Sequence, residues 1–377
     1  MYIKGVGMTK FGIQQDLSSH MVYEASMEAL EDAGISMNEI DAIVVSSIEI
    51  MSNGERQKHS ASFMSSLFQI KVPILSVPAG CAGGGTALWT ANRLYKTSSY
   101  RNILVIGFEK AVANTSKSVT DEILMGGERI YEQAEGLIFP AQNALVAQQY
   151  MLKYGATTDD FALVAYKNHQ NAYLNPKARF YKRQVTLKQI KKSPIVASPL
   201  RLFDCSISCN GAAALILSKD EAGIEVVGSA EENDCLSPFE RDDMTSFWVT
   251  KKAAEIAYKE SGVKPSEIEI AELHDAFTPL ELISYEDLGF CNSGEGANLM
   301  RDGFTELNGK LPVNTSGGLK AKGHPISPTG IAQIYEIAKQ MKGECGKRQV
   351  KNPKYGIALN IGGAGAGATV HILKNLS

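Results

Sequence analysis

The feature that most constrains the fold is a segment that occurs twice. Residues 20–47 read as an amphipathic stretch, a polar turn and an apolar strand, and residues 248–273 repeat that order. The identities between the copies all share one offset: Ala25 with Ala253, Ala29 with Ala257, Gly34 with Gly262, Glu39 with Glu267, and Ile40 with Ile268. Identities at one offset within one element order indicate an internal duplication.

Each copy continues as strands that alternate with helices. The predicted elements are a strand at 73–77, a helix at 87–95 and strands at 102–109 and 211–220 in the first copy, and a helix at 327–341 with strands at 355–363 and 367–375 in the second. This alternation predicts an α/β fold of two units, each a largely parallel sheet covered by helices. We expect the units to span 1–220 and 221–377, with a loop domain inserted at about 111–200.

Charge and cysteine usage exclude several classes of function. A formal net charge of −3 gives no electrostatic reason to bind nucleic acid or an anionic membrane. Six cysteines are too few for a disulfide framework, and Cys205 and Cys209 have no second pair nearby to complete a zinc site. No signal-peptide pattern or long apolar run is present, so we expect a cytoplasmic protein.

The inserted segment contains a basic stretch at 176–192. Such a surplus of lysine and arginine could face a phosphate-bearing ligand, or it could form an ordinary solvated surface.

A cysteine stands where the first copy turns from strand to helix. The strand-like run at 73–77 ends in Pro-Ala-Gly, Cys81 follows, and three glycines lead into the helix. Free N–H groups and the positive end of the helix dipole favour a thiolate at such a turn. Cys81 is therefore either a nucleophile or a small buried thiol packed against a glycine-rich helix.

Three stretches of the second copy place candidate catalytic groups at the ends of strands or just before a helix, as Cys81 is placed in the first copy. His274 ends an apolar strand, His324 lies in a glycine-rich loop before a helix, and a glycine-rich turn with Gly362 follows the strand at 355–363. Ligands of open α/β sheets bind at the carboxyl ends of strands, so we expect these residues to meet Cys81. A thiol, two imidazoles and exposed backbone N–H groups are the parts required for acyl transfer through a thioester.

On these motifs the chain resembles the thiolases, and within them the archaeal acetoacetyl-CoA thiolases, which are similar to the sterol-carrier-protein type. The stretches AGCAGGG, FPAQNALVAQQYM, SPLRLFDCSISCNGAAALIL, ELHDAF, GGLKAKGHP and NIGGAGAG match in order along the chain. The resemblance implies two βαβαβαββ halves in a five-layer αβαβα arrangement with an inserted loop domain. It further implies a dimer or tetramer that uses coenzyme A thioesters and no metal or other cofactor.

The resemblance also implies roles for individual residues. Cys81 resembles the nucleophile, His324 the histidine that activates it and lines an oxyanion hole, and His274 the residue that stabilises the enolate of the second acetyl-CoA. The backbone N–H groups of Cys81 and Gly362 resemble the second oxyanion hole. The residues implied to contact substrate are Ser206, Phe139 and Asn360.

One departure affects the chemistry. Thiolases usually carry a second cysteine that moves the α-proton, but Asn360 and Ala276 stand at its two usual places. An asparagine amide is not basic at neutral pH. Either a histidine, His274 or His324, moves that proton, or the chain does not form carbon–carbon bonds in the usual way. A compensating acid from another cysteine, such as Cys291, is a further alternative.

The expected function is that of an acetyl-CoA C-acetyltransferase, which condenses two acetyl-CoA into acetoacetyl-CoA and CoA at the entry to the mevalonate pathway. The resemblance implies hydroxymethylglutaryl-CoA synthase and a small OB-fold scaffold protein as partners. The alternatives are a thiolase-like acyltransferase or thioesterase of other specificity, and a non-catalytic subunit that binds CoA or a partner.

Overall fold

The computed structural model describes residues 1–13, 16–49, 54–55, 57–97, 100–112 and 116–377. Its strands are β1 (Tyr2–Met8), β2 (Ala42–Ser46), β3 (Ile74–Ser76), β4 (Asn102–Lys110), β5 (Ile195–Ala197), β6 (Leu200–Arg201), β7 (Asn210–Ser218), β8 (Ile224–Asn233), β9 (Ile270–Glu272), β10 (Tyr355–Gly362) and β11 (Gly367–Asn375). β5 and β6 pair with each other, and the others form one sheet in the order β3-β2-β4-β7-β1-β8-β11-β10-β9. The two halves therefore share one continuous sheet.

The helices cover the sheet and build the insertion. They are α1 (Ser18–Ala33), α2 (Ser60–Phe68), α3 (Gly83–Thr97), α4 (Ser116–Leu124), α5 (Phe139–Tyr154), α6 (Thr158–Leu174), α7 (Leu187–Lys191), α8 (Trp248–Ser261), α9 (Thr278–Asp287), α10 (Gly296–Arg301) and α11 (Thr329–Met341). In the part of the chain that the structure describes, none of these helices combines the length and apolar character needed to cross a bilayer.

The two copies fold alike, which confirms the duplication. α1 leads through a short 3-10 turn to β2, and α8 leads through an equivalent turn to β9. Gly34 and Gly262 close their helices in the left-handed conformation, with φ of 66° and 69°. Glu39 and Glu267 each accept a hydrogen bond of 2.8 Å from the backbone N–H three residues earlier. The shared residues therefore perform the same local tasks in both halves.

The alanines that the copies share lie where a helix rests directly on a strand. A Cβ on Gly7 of β1 would overlap the carbonyl oxygen of Ala25, and one on Gly228 of β8 would lie 2.5 Å from that of Ala257. Small residues on both elements let α1 and α8 approach the sheet this closely. Larger side chains at these positions would force each helix away from its strand.

The sheet is mixed, whereas the alternation predicted largely parallel sheets. β2 pairs in parallel with β3 and β4, and β9 with β10, but β4–β7, β7–β1, β8–β11 and β10–β11 are antiparallel. The lengths of the connections explain this difference. Residues 363–366, which join β10 to β11, are too few for the crossover that a parallel pair requires. The insertion returns the chain to β7 beside β4 in the opposite direction.

The helices α3 and α11, one from each half, meet at their first turns. A Cβ on Gly84 would lie 2.7 Å from the carbonyl oxygen of Ser327 and 2.8 Å from the backbone nitrogen of Gly330. A Cβ on Gly330 would in turn overlap the backbone nitrogen of Gly85. Only glycine permits this contact, which brings the segments that precede both helices together. The predicted boundaries between the halves and the loop domain stay predictions.

A buried histidine on β11 should make the stability of this fold depend on pH. His371 is 1% exposed, its Nε2 lies 3.1 Å from the Gly85 carbonyl oxygen, and its Nδ1 lies 3.1 Å from Ser229 Oγ. Burial lowers the pKa of His371 to about 4 from its ordinary 6.5. The unfolded chain therefore takes up this proton first, and stability falls as the pH drops from 6.5 towards 4.

We expect wild type to lose about 2 kcal/mol more stability than His371→Gln between pH 7 and pH 5. Urea unfolding of both proteins at the two pH values measures the difference. His20→Gln, which changes an exposed histidine, is the control and should behave as wild type. An equal loss in His371→Gln and wild type would contradict the prediction.

Candidate active site

Cys81 lies in a 3-10 turn, Gly80–Ala82, between β3 and the start of α3. Gly80 adopts a φ of 54°, a left-handed conformation that glycine reaches without strain. The turn leaves Cys81 half-buried, with its carbonyl oxygen 2.9 Å from Asn360 Nδ2. The predicted strand-to-helix turn is therefore present and presents the thiol ahead of a helix N-terminus.

His324 follows a π-helical turn, Gly318–Lys322, and precedes α11. Its backbone N–H donates to the carbonyl of Ile207 at 3.0 Å, and its ring Nδ1 lies 2.8 Å from Thr329 Oγ1 in the first turn of α11. The first contact fixes the backbone of His324, and the second fixes its ring. His324 is 9% exposed. Because its Nδ1 already faces Thr329, Nε2 is the ring nitrogen left for a ligand.

His274 lies just beyond β9, and its ring meets that of His324. The ring centroids are 5.2 Å apart and the ring planes are 87° from parallel, an edge-to-face contact. His274 is 1% exposed, and its Nδ1 lies 3.1 Å from Asn360 Nδ2. The two histidines expected from the sequence therefore form one pair.

The thiol and both histidines line one pocket of about 850 Å³, including its open mouth. Ser206 and Phe139, which the resemblance assigned to substrate contact, line the same pocket. Most of the remaining wall is apolar and includes Ile123, Leu124, Ile138, Phe277 and Ile326. Its size and lining are those of a site for a small organic group with a few polar contacts. Within the described ranges, no three His, Cys, Asp or Glu side chains are grouped to hold a metal ion.

Two of the sequence-predicted residues lie behind this wall. Asn360 is 1% exposed and is directed at the backbone beneath Cys81. Gly362 packs towards Ala82, whereas Gly363 lines the pocket with Cys81, and its backbone N–H lowers the pKa of the Cys81 thiol. The roles assigned to Asn360 and Gly362 stay predictions, and the glycine of this turn that lines the pocket is Gly363.

The electrostatics of Cys81 differ from the expectation of a ready thiolate. Burial, together with the nearby Glu109 carboxylate, raises the pKa of the Cys81 thiol to about 11. The N–H groups of Gly363 and of Cys81 itself lower this pKa, but they do not offset burial. Cys81 therefore rests as a thiol and needs a base to attack.

Both histidines rest uncharged. Burial lowers the pKa of His324 to about 4, and the Lys322 ammonium adds to the effect. Burial also lowers the pKa of His274 well below its ordinary value, with a further contribution from His324. A neutral imidazole has one nitrogen that can accept a proton, so the pair can supply both a base and a donor near neutral pH.

A buried carboxylate joins the two halves beside the thiol. Glu109, at the end of β4, is 1% exposed and accepts hydrogen bonds from Ser47 Oγ, the backbone N–H of Ile48 and Ser327 Oγ. Ser327 lies two residues before the start of α11, so this contact fixes the approach to that helix. The strand-end position of Glu109 was visible in the sequence, but its partners depend on tertiary packing.

The insertion also reaches the site. Asn168 of α6 donates to Asp275 at 2.7 Å, and Asp275 accepts the backbone N–H groups of Leu319 and Lys320 at 2.6 and 3.2 Å. Part of the basic stretch contacts the same loop, because the backbone N–H of Arg179 donates to the Lys322 carbonyl at 2.8 Å. The loop that carries His324 is thus held from the inserted segment.

Comparison with known proteins agrees with this architecture. Residues 1–200 match the family model "Thiolase, N-terminal domain", and residues 230–375 match "Thiolase C-terminal domain-like". The acetyl-CoA acetyltransferase of Methanothermobacter thermautotrophicus is 38% identical over 98% of both chains, and that of Methanocaldococcus jannaschii is 36% identical over 99% of this chain and 98% of its own. Sterol carrier protein 2 of Bos taurus is 32% identical over 97% of this chain and 70% of its own length.

Two solved structures share the fold of this chain over its whole length. The Ltp2-ChsH2(DUF35) aldolase has a TM-score of 0.86 and 26% identity, over 100% of this chain and 97% of its own. Human mitochondrial 3-ketoacyl-CoA thiolase has a TM-score of 0.75 at 15% identity, over 100% and 98%.

The raised thiol pKa predicts how Cys81 reacts with iodoacetamide in the free protein. Because alkylation requires the thiolate, the rate should rise about tenfold per pH unit from pH 7 to 10. Mass spectrometry of the Cys81 peptide at each pH measures the labelling rate, and the peptide that contains the exposed Cys235 is the reference. A rate that is already constant above pH 7 would mean that the helix N-terminus outweighs burial.

Proposed function

The chain belongs to the thiolase family of acyltransferases, and on that premise we propose that it condenses two acetyl-CoA into acetoacetyl-CoA and CoA. The observation that carries the proposal is that Cys81, His274 and His324 line one pocket. The two archaeal acetyl-CoA acetyltransferases, which align over nearly their whole length, support the choice of acetyl-CoA.

The first half-reaction is the transfer of an acetyl group to Cys81. His324 takes the thiol proton at Nε2 while the sulfur attacks the thioester carbonyl of acetyl-CoA. The carbon–sulfur bond to CoA then breaks, and the proton passes from His324 to the CoA thiolate. A base is required because the pKa of the Cys81 thiol is raised to about 11, and the neutral state of His324 suits it to this step.

The second half-reaction forms the carbon–carbon bond. A second acetyl-CoA loses an α-proton to a histidine, and its enolate attacks the acetyl-Cys81 carbonyl. The bond from that carbon to the Cys81 sulfur then breaks, acetoacetyl-CoA leaves, and the thiolate recovers the proton. His274 stabilises the enolate oxygen, and the tetrahedral oxyanion lies against the backbone N–H of Cys81 and a glycine N–H of the 362–363 turn. In support, the N–H groups of Cys81 and Gly363 already lower the pKa of the thiol at this point.

The pocket also supports a role in substrate contact for two of its residues. In the proposal, Ser206 contacts the pantetheine arm of CoA and Phe139 borders the acyl end. Both side chains line the pocket with Cys81. The apolar wall around them would exclude water from the acetyl-enzyme, which otherwise hydrolyses to acetate.

We place the reaction in the cytoplasm, at the entry to the mevalonate pathway, in a dimer or tetramer. Condensation is uphill, so a hydroxymethylglutaryl-CoA synthase that consumes the product is the proposed partner. The similarity to the Ltp2-ChsH2(DUF35) aldolase, whose name includes a DUF35 component, supports an OB-fold scaffold protein as a second partner.

Intact mass after mixing with acetyl-CoA tests the proposal. Wild type should gain one acetyl group, release free CoA and form acetoacetyl-CoA. Cys81→Ser should form no thioester adduct and lose at least about a thousandfold in product formation, since the nucleophile is removed. Cys235→Ser, which removes an exposed thiol outside the pocket, is the matched control and should behave as wild type.

Two outcomes would contradict the proposal. An adduct on Cys81 that yields only acetate would indicate a thioesterase or an acyltransferase with another acceptor. No adduct in wild type would indicate a protein that binds CoA or a partner without this chemistry.

A further inference from the structure

We propose that Asn360 is a positioning residue that keeps the proton of His274 on Nε2. His274 is then only a hydrogen-bond donor, and His324 alone carries protons in both half-reactions. The inference rests on the proposed condensation, and it assigns a task to the asparagine that stands where thiolases usually have a cysteine.

The orientation of the Asn360 amide is fixed by two backbone contacts. Its Oδ1 accepts the N–H of Gly85 at 3.1 Å, and its Nδ2 donates to the carbonyl of Cys81 at 2.9 Å. Turning the amide over would set its NH₂ against the Gly85 N–H and its oxygen against the Cys81 oxygen. Both contacts would become repulsive in a site that is 1% exposed, so only one orientation is stable.

This orientation determines the tautomer of His274. The second hydrogen of Asn360 Nδ2 faces His274 Nδ1 at 3.1 Å, and an amide nitrogen does not accept hydrogen bonds. Nδ1 must therefore be the acceptor, which leaves the ring proton on Nε2. In the pocket that His274 lines, the ring can donate to an oxygen but has no lone pair with which to remove a proton.

His324 differs in this respect. Its Nδ1 lies 2.8 Å from Thr329 Oγ1, and a hydroxyl can accept from Nδ1–H. That arrangement leaves a lone pair on Nε2. The ring centroids of His274 and His324 are 5.2 Å apart in an edge-to-face contact. The donor, His274, and the base, His324, therefore act on the same part of the pocket.

One base is sufficient for the whole cycle. In the first half-reaction His324 moves a proton from Cys81 to the leaving CoA thiolate. In the second, Nε2 of His324 takes the α-proton of acetyl-CoA while His274 Nε2–H donates to the enolate oxygen. The carbon–carbon bond forms, the bond from carbon to the Cys81 sulfur breaks, and the thiolate recovers the proton from His324. Every proton is accounted for without a second thiol.

One other thiol lines the pocket and is the competing carrier. Cys205 Sγ donates to the carbonyl of Arg201 at 3.5 Å, and burial raises the pKa of Cys205 to about 11. Its hydrogen is thus directed at the backbone and its thiolate is disfavoured. Cys205→Ala should leave the removal of the α-proton within about threefold of wild type.

Paired variants separate the base from the donor. His274→Gln keeps an N–H donor near Nε2 but cannot accept a proton, so exchange of the acetyl-CoA methyl hydrogens with D₂O should persist within about tenfold. His324→Gln should lower both this exchange and the acetylation of Cys81 by about 10²–10⁴-fold. Exchange that is abolished in His274→Gln or in Cys205→Ala, but retained in His324→Gln, would overturn the proposal.

The tautomer can be measured without turnover. In ¹⁵N-histidine NMR of wild type, assigned with His274→Gln, the His274 ring should be protonated on Nε2 and unprotonated on Nδ1. In Asn360→Asp, which cannot donate, the proton should appear on Nδ1, and condensation should fall about 100-fold. Acetylation of Cys81 should change less than condensation, because His324 is intact.

The matched control is Asn102→Asp. Asn102 is a buried strand asparagine whose amide also donates to a backbone carbonyl, that of Glu39, at 3.0 Å, and it does not line the pocket. It should leave the His274 resonances unchanged. A proton on Nδ1 in wild type would overturn the assignment even if Asn360→Asp fails to fold. Loss of the acetyl adduct in wild type would instead reject the proposed function and leave the tautomer result standing.

Discussion

The active-site geometry depends on the contact between the first turns of α3 and α11. Gly84 and Gly330 leave no room for a Cβ at this crossing, so the two helix N-termini lie as close as backbones can approach. Cys81 precedes one helix and His324 precedes the other. The duplication thus supplies two equivalent helix starts, and one carries the nucleophile while the other carries its base. A side chain at either glycine would push the two helix starts apart, and Cys81 and His324 with them.

Burial of the three reactive side chains determines their resting charges. Burial disfavours the thiolate of Cys81 and the imidazolium forms of His274 and His324, so all three rest neutral. Charge then develops only while a proton moves, at the point where backbone N–H groups are already oriented. An ion pair in the resting site would lower the energy of the ground state and so raise the activation free energy. A site whose groups rest neutral avoids this cost.

Much of this could be predicted from the sequence, because local patterns encode it. Cys81, His274 and His324 each follow a recognisable strand or precede a recognisable helix, and strand ends of one sheet converge. Other features are set by tertiary packing. Asn360 contacts Gly85, Cys81 and His274, which are distant from it in sequence, and the position of Gly363 rather than Gly362 in the pocket wall depends on a one-residue difference in a turn. The contact of Thr329 with His324 spans five residues but depends on the path of the loop between them. The antiparallel direction of β10 and β11 follows from their short connection, which the sequence shows, whereas the direction of β7 depends on how the insertion folds.

The hydrogen bonds between α6 and the loop that carries His324 limit how the loop domain can be exchanged with that of a relative. Asn168, on the inserted segment, contacts Asp275, which holds the backbone of Leu319 and Lys320. The insertion is therefore not an independent cassette. A chimera that takes this segment from a relative needs the matching HDAF and GGLKAK sequences as well, and recombination within the family should preserve these distant stretches together.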